Sequence, residues 1–256
     1  MSVINTNVKA MLAQSALQTN ERLMTTATNQ LSTGKRTYSA SVDAAGVSIS
    51  EKLTSQMRGS QQAARNMNDA ISFLQTAEGA LGEIGNMAQR MYELSVQSLN
   101  GALSTAQKAD ITAEMNELVT GIADIKANTK WNGTATADYS ITTTVDGAGT
   151  TATLAKTTSI GTALTSASGS AAIETYIETV VSQRAEAGAQ INRLGFQVDN
   201  MNNIAANLAE SRSRIQDTDY AKASAELART QIISQAATAM LAQANQQPQQ
   251  VLSLLQ

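Results

Sequence analysis

The sequence predicts a mainly α-helical protein. We expect a long antiparallel helical bundle or coiled coil, formed by the N- and C-terminal halves, with a small β-hairpin at its distal end. The 256 residues include 43 Ala and a single Pro, so helix formers are abundant and breakers are nearly absent. Aromatic residues make up 3% of the chain, too few to fill the core of a compact globule of this size. Apolar residues also recur at alternate spacings of three and four in both halves.

The apolar stripe of the N-terminal half predicts one helix from about Asp43 to Leu99. It continues through about six heptad-like repeats, which short amphipathic helices do not sustain. The stripe consists of Leu53, Met57, Ala64, Met67, Ile71, Leu74, Leu81 and Met91. The methionines at 57, 67, 87 and 91 are interpreted as core residues, because Met adapts to irregular seams. Asn100-Gly101 is a turn signal that ends this helix, and a second helix follows from Thr105 to Lys126.

The C-terminal half repeats the pattern and predicts a second rod of comparable length. Its stripe consists of Ile173, Ile177, Val180, Ala187, Ile191, Leu194, Val198, Met201, Ala205, Leu208 and Ile215. Two rods of matching period from opposite ends of one chain pack most simply as antiparallel partners. Arg184 and Arg212 interrupt the stripe, which predicts ion pairs between the rods or between subunits, with the stems packed and the charges paired.

The segment between the rods, Asn132 to Ala172, has a different character. It holds twelve Thr and only three charged residues. Residues from Tyr139 to Val145 alternate, Asp146-Gly147 is a turn signal, and Thr151 to Leu154 can return, which predicts a β-hairpin. A tether rich in Ser, Thr, Ala and Gly then covers Thr162 to Ala171.

The two ends of the chain carry weak apolar stripes of their own. One consists of Leu12, Ala16, Leu23 and Ala27, and the other of Leu227, Ile233, Ala237, Met240 and Ala244. Neither alone buries enough to offset an ordering entropy of about 1–2 kcal/mol per residue. We therefore expect both ends to be marginal or disordered in the free monomer and helical against partners. The run Asp217-Thr218-Asp219 predicts a helix start rather than a cation site.

Composition excludes most enzyme classes. The chain has no Cys and no His, which removes thiolate zinc sites, thiol nucleophiles and every pairing with a histidine base. We expect no enzymatic activity, no cofactor and no metal. A net charge of −3 gives no basic field for nucleic acid or an anionic membrane. The charge-free stretch 230–256 is interrupted by glutamines and cannot span a bilayer, and the N-terminus lacks the features of a signal peptide.

Several motifs together resemble bacterial flagellin. They are SVINTN near the start, LSTGKR at 31–36, DAAGVSIS at 43–50, and DTDYA followed by LAQANQQPQQVLSLL at the end. The match covers roughly residues 1–131 and 173–256. The final motif is the most specific of these, and its position after DTDYA leaves little room for coincidence.

The resemblance implies a structural subunit that self-assembles into the flagellar filament for motility. It implies five parts: an N-terminal inner-tube helix and spoke at 1–42, N-terminal rod helices at 43–131, an exposed hairpin and tether at 132–172, a C-terminal rod helix at 173–216 and a C-terminal inner-tube helix at 217–256. The middle segment is too short for a globular insert with its own core, so we expect a thin, smooth filament.

The apolar residues of the ends are the predicted self-assembly residues, because they have only each other and neighbouring subunits to bury against. They are Val3, Ile4, Val8, Leu12, Met240, Leu241, Val251, Leu252, Leu254 and Leu255. Head-to-tail contacts that do not close would give an open polymer.

The resemblance also implies partners and a location. The partners are other copies of the chain, the flagellar export apparatus, an export chaperone, the filament cap and the hook–filament junction protein, with neither nucleic acid nor membrane among them. The location is the extracellular flagellar filament, reached without a cleaved signal peptide. Ser and Thr within 134–170 are candidate O-glycosylation sites, and a plain polar hairpin is the alternative.

Residues 89–97 resemble the stretch that the flagellin-sensing Toll-like receptor binds in many flagellins. Gln89, Arg90, Glu93, Leu94 and Gln97 fit that pattern, whereas Tyr92 stands where a second basic residue is usual. The alternative is an axial contact between subunits, and one surface can serve both. For the whole chain, the alternatives are a hook–filament junction protein and, more remotely, a helical adaptor.

Overall fold

The computed structural model describes residues 7–136, 140–155, 164–165 and 167–253. The elements in order are α1 Val8–Thr33, α2 Ala44–Ser98, α3 Thr105–Asn128, β1 Lys130–Trp131, β2 Thr134–Ala135, β3 Ser140–Thr144, β4 Thr151–Ala155, α4 Ser170–Gln216 and α5 Tyr220–Ser253. The predicted mainly α-helical class is confirmed. The helix α2 begins and ends one residue inside its predicted bounds, and α3 begins at the predicted Thr105.

The described chain divides into two compact units. One is Ser55–Asn207, and the other combines Met1–Thr54 with Leu208–Gln256. The boundary lies within α2 and α4 rather than at their ends. The long helices therefore each contribute to both units.

The unit Ser55–Asn207 has a core built from the two predicted apolar stripes. Its buried residues on α2 include Met67, Leu74, Leu81 and Met91, and those on α4 include Ile173, Val180, Leu194 and Met201. The two helices run antiparallel here, because Arg184 pairs with Glu78 while Val180 lies 3.6 Å from the position a Cβ would take on Gly85. One core cluster adds Ile111, Met115 and Ile122 of α3, and the other adds Leu154 of β4.

The predicted hairpin is confirmed as β3 and β4, which pair antiparallel with Thr142 opposite Thr153. Its loop is longer than the predicted two-residue turn, since Val145 N–H donates to the Thr150 carbonyl. The first residue of the predicted strand, Tyr139, lies outside the described residues. A second small hairpin, β1 with β2, was not predicted. It turns at Asn132-Gly133, both with positive φ, and this Asn-Gly dipeptide was the available sequence signal.

The hairpin β3–β4 was predicted at the distal end of the bundle, but it packs against α2 away from that end. Asn66 Nδ2, near the middle of α2, donates to Thr144 Oγ1 over 2.7 Å, and the turn at Gly147 contacts Ser60. The reason is that α3 carries the chain back along α2 for 24 residues, about 36 Å, before the hairpin begins.

The segment 132–172 is also less exposed than predicted. Thr136, Thr143, Leu154 and Leu164 are all buried. Leu164, within the predicted tether, packs into the core cluster with α3 and α4. The helix α4 begins at Ser170, so it takes up the last two residues of that tether.

Candidate functional site

The helices α1 and α5 pair antiparallel within one unit. Asn7 Nδ2 donates to the Ala244 carbonyl over 2.8 Å, and Asn20 Nδ2 donates to the Thr230 carbonyl over 2.7 Å. At the other end of α1, Thr218 N–H donates to the Gly34 carbonyl over 3.0 Å. These contacts fix which residues of the two helices face each other.

Small and polar residues make up most of the seam between α1 and α5, together with four Leu and one Met. The buried and half-buried positions alternate by three and four, as in a coiled coil. They are Ala10, Ala13, Leu17, Asn20, Met24, Ala27 and Leu31 on α1, and Ala223, Leu227, Thr230, Ser234, Ala237, Leu241 and Ala244 on α5. Because most of these side chains are small, the pair buries little apolar area for its length.

The residues predicted to form the α1 seam were mostly wrong. Leu12, Ala16 and Leu23 are exposed, and of the predicted four only Ala27 is buried. The sequence carries two overlapping apolar stripes on α1. The stripe that faces α5 contains Ala10, Ala13 and Ala27 together with Leu17, Met24 and Leu31. The stripe with Val8, Leu12 and Leu23 is exposed.

Several large apolar side chains therefore remain uncovered on this pair. Leu12 is 72% exposed and Met240 is 65% exposed. The other exposed members are Val8, Met11, Leu23, Ile232 and Ile233. We call these residues, together with Leu12 and Met240, the exposed apolar stripes. Leu12, Ile233 and Met240 of this set line one groove, and exposed apolar surface that is grouped in this way is typical of an interaction site.

An open groove of about 560 Å³ runs along one side of the pair. Lys9, Leu12 and Ala16 line it from α1, and Ile233, Ala236 and Met240 line it from α5. Lys9 is the single charged residue in this lining. The groove suits an apolar helical segment rather than a charged or strongly polar ligand.

The predicted self-assembly residues fall into four groups. Val8, Leu12 and Met240 are exposed, as that role requires, whereas Leu241 is half-buried in the seam with α1. Val251 and Leu252 belong to α5, but their side chains lie outside the described part of the chain. Val3, Ile4, Leu254 and Leu255 lie outside the described residues altogether.

The second candidate surface lies on α2 in the unit Ser55–Asn207. Gln89, Arg90, Glu93 and Gln97 are exposed there. Arg90 donates to Glu114 Oε1 of α3 over 2.9 Å and to Glu93 Oε2 over 3.1 Å. The hydrogen bonds to Glu114 and then Glu93 raise the pKa of Arg90. This network holds the guanidinium in place on the surface.

Leu94 does not belong to that surface. It is 1% exposed and packs in the core cluster with α3 and α4. Leu94 was included among the contact residues because it lies within the motif at 89–97. A match to consecutive residues does not distinguish the buried face of a helix from the exposed one. Leu94 supports the surface from beneath.

The two arginines that interrupt the α4 stripe behave differently. Arg184 Nη2 lies 2.8 Å from Glu78 Oε1, which confirms the predicted ion pair between the rods. Arg212 has no ion pair within the part of the chain that the structure describes.

Asp219 caps the N-terminus of α5, as predicted. Its Oδ1 accepts from the amides of Ala221 and Lys222, over 2.9 Å and 3.2 Å. Among the described residues, no group of three or more acidic side chains is arranged to hold a metal ion. No helix in the described ranges has a stretch long and apolar enough to cross a bilayer.

Two family matches agree with this architecture. The bacterial flagellin N-terminal helical region matches residues 4–142, and the bacterial flagellin C-terminal helical region matches residues 170–255. The chain belongs to the bacterial flagellin family. This confirms the resemblance and, with it, the prediction of a structural protein rather than an enzyme.

Relatives that match over nearly their whole length are also flagellins or flagellar filament proteins. A flagellin of Halalkalibacterium halodurans is 40% identical, with 99% of each chain covered. The flagellar filament 33 kDa core protein of Treponema phagedenis is 36% identical, again with 99% of each chain covered. A flagellin of Listeria monocytogenes is 30% identical over 98% of this chain and 99% of its own. These flagellins favour an extracellular filament subunit over a junction protein or an adaptor.

Proposed function

We propose that the exposed apolar stripes of α1 and α5 are the surfaces through which copies of this flagellin assemble into the filament. The observation that carries this proposal is the 72% exposure of Leu12 beside the 65% exposure of Met240, on a pair whose own seam leaves both side chains uncovered. Burying one such side chain contributes about 1.5–3 kcal/mol. Several burials per contact therefore favour the assembled state strongly.

The chemistry of the groove supports the same proposal. Five alanines line it together with Leu12, Ile233 and Met240, so an apolar stripe on another copy fits this part of the groove, away from Lys9 and Gln243. A contact between an apolar ridge and a groove elsewhere on the next copy is heterologous. Such contacts continue without closing, which gives a filament rather than a dimer.

The segments beyond the described residues complete the proposed inner-tube surface. Val3, Ile4, Leu254 and Leu255 are apolar, and we assign them to the same contacts. The segments 1–42 and 217–256 would then form the inner tube, while the rods at 43–131 and 173–216 would carry residues 132–172, whose exposed hydroxyls would face the medium.

Other partners follow from this role. Assembly at a growing tip implies an export apparatus, an export chaperone, a filament cap and a hook–filament junction protein as partners. The exposed set Gln89, Arg90, Glu93 and Gln97 is proposed as an axial contact and as a contact for the flagellin-sensing Toll-like receptor. The Arg90 network with Glu114 supports this, because it presents a fixed charged surface.

Among the Ser and Thr proposed for O-glycosylation, only those with accessible hydroxyls remain candidates. Ser140, Thr142, Thr151 and Thr153 are exposed on the β3–β4 sheet. Thr136 and Thr143 are buried, so they are excluded as glycosylation sites.

Seeded growth of purified chain, followed by electron microscopy, tests the assembly proposal. Leu12→Asn should abolish or strongly slow filament growth, because it places a polar amide where an apolar contact forms. Leu99→Asn is the matched control, since Leu99 is 74% exposed but lies in the turn after α2. Growth by the Leu12 variant at the wild-type rate would refute the assignment of these stripes.

Removal of residues 251–256 tests the terminal segment separately. The truncated chain should stay monomeric and keep its helical content. Filaments formed by it would show that the C-terminal apolar residues are not required.

A further inference from the structure

The chain contains two Asn-Gly dipeptides, and the structure places them in different settings. Asn100-Gly101 lies in the connection between α2 and α3, whereas Asn132-Gly133 forms the turn between β1 and β2. All four residues are exposed. Their different backbone contacts lead to different chemistry.

The carboxamide of Asn100 is held by its own turn. Its Oδ1 accepts a hydrogen bond from the Ala102 amide over 3.0 Å, and the Asn100 carbonyl accepts one from Leu103 N–H over 3.3 Å. A hydrogen bond to the side-chain oxygen draws electron density from Cγ and makes that carbon a better electrophile. The polarising donor is therefore already in place in the folded chain.

Gly101 lies in an uncrowded part of the connection. A Cβ at this residue would meet no atom within 4 Å, and Gly101 N–H makes no backbone hydrogen bond among the described residues. Its nitrogen is therefore open to deprotonation by solvent base.

We propose that Asn100 is a site of spontaneous covalent modification in the folded protein, by ring closure onto Gly101. A solvent base removes the proton from the Gly101 nitrogen, which then attacks Cγ of Asn100. The new N–Cγ bond forms and the Cγ–Nδ2 bond breaks, so ammonia leaves and a succinimide remains. Water opens the ring at either carbonyl and yields aspartate or isoaspartate, with no change in oxidation state.

Asn132 is the internal comparison. Its φ of 47° and the φ of 82° at Gly133 define a tight two-residue turn between paired strands. Ring closure would require rotation of this backbone against the ladder that pairs Trp131 with Thr134. No hydrogen bond polarises the Asn132 carboxamide within the described part of the chain.

Modification at Asn100 changes the connection between α2 and α3. Each event adds one negative charge at the C-terminal end of α2, where the helix dipole disfavours it. The isoaspartate product also inserts an extra methylene into the backbone beside Leu103, which packs against the core cluster. An ageing filament would therefore accumulate altered α2–α3 turns.

Peptide mapping by mass spectrometry of chain incubated in mildly alkaline buffer tests the proposal. In the folded protein, Asn100 should convert at least about tenfold faster than Asn132, a modest effect for a preorganised donor. The same pair is measured in concentrated urea, where both turns are lost. The ratio should fall toward one there.

Two variants sharpen the test. Gly101→Ala should slow conversion at position 100 and leave the fold intact, because the added methyl meets no atom within 4 Å. Asn100→Gln should abolish the modification at that position. A folded-state ratio equal to or below the ratio in urea would overturn the proposal. These measurements need no filament, so they are independent of the assembly experiments.

Discussion

Gly59 and Gly79 lie in the same helix, yet the structure gives them opposite roles. A Cβ on Gly59 would lie 2.2 Å from the backbone oxygen of Gly147, whereas a Cβ on Gly79 would meet no atom within 4 Å. Gly59→Ala should destabilise the protein by about 1–3 kcal/mol, because the hairpin turn must move away. Gly79→Ala should stabilise it by about 0.5–1 kcal/mol, since a solvent-facing glycine only weakens the helix.

Denaturant unfolding of the two variants checks this pair. The substitution, the helix and the helical environment are the same, so intrinsic propensity cancels from the comparison. Equal shifts in the free energy of unfolding would mean that the β3–β4 turn does not rest on α2 at Gly59.

Asp146 gives the hairpin a pH dependence. Hydrogen bonds from Thr150, with smaller contributions from Ala148 and Gly149, lower the pKa of Asp146 from its ordinary 3.8. A lowered folded-state pKa means that the carboxylate stabilises the loop above the unfolded pKa. That stabilisation is lost as the pH falls through the folded pKa. Amide exchange in β3 and β4 should therefore speed up, relative to the helices, as acid is added below pH of about 4.

Asp146→Asn is the control for this prediction. The amide oxygen can still accept from Thr150 but does not titrate, so the acid-dependent part of the exchange should disappear. An unchanged acid profile in this variant would assign the effect to another group.

The environments of some single residues could not be predicted from the sequence. Leu94 sits among exposed contact candidates in chain order, yet it points into the core with Met91. The sequence did not indicate the close approach of Gly59 and Gly147, because these residues lie far apart in the chain. Local spacing does not contain such information.

The α3 helix begins with a capping box at Ser104. Its Oγ accepts from Gln107 N–H over 3.3 Å, and Gln107 Oε1 accepts from Ser104 N–H over 2.9 Å. Ser104→Ala should cost about 1 kcal/mol of stability, measured by thermal unfolding. Ser72→Ala, an exposed position inside α2, is the matched control and should be neutral or slightly stabilising. Equal effects of the two variants would contradict the capping role.

The helices and strands differ in how well the sequence predicted them. The long stripes of α2 and α4 predicted helix bounds within a few residues, because many repeats specify one face. The stripe of α1 did not predict its seam, because α1 offers two apolar faces. Which of these faces packs against α5 depends on the partner helix, and the spacing along α1 does not specify it. The position of β3–β4 along α2 also escaped prediction, since it depends on how far α3 returns.

Across the whole chain, the family and the filament role were predictable from the terminal motifs, and the composition agreed with them. The exposed apolar stripes were predictable in kind but not in residue detail. Leu12 and Met240 were identified from the sequence, whereas Leu241 turned out to be half-buried in the α1–α5 seam.

Cysteine labelling of the assembled filament tests the central claim most directly. The chain has no native Cys, so Leu12→Cys and Thr142→Cys each provide a single reactive thiol. Both should react with a polar maleimide in the monomer, because both positions are exposed. In the filament, the thiol at position 12 should become protected while the one at position 142 stays reactive. A thiol at position 12 that labels equally in both states would contradict the claim that the exposed apolar stripes are buried on assembly.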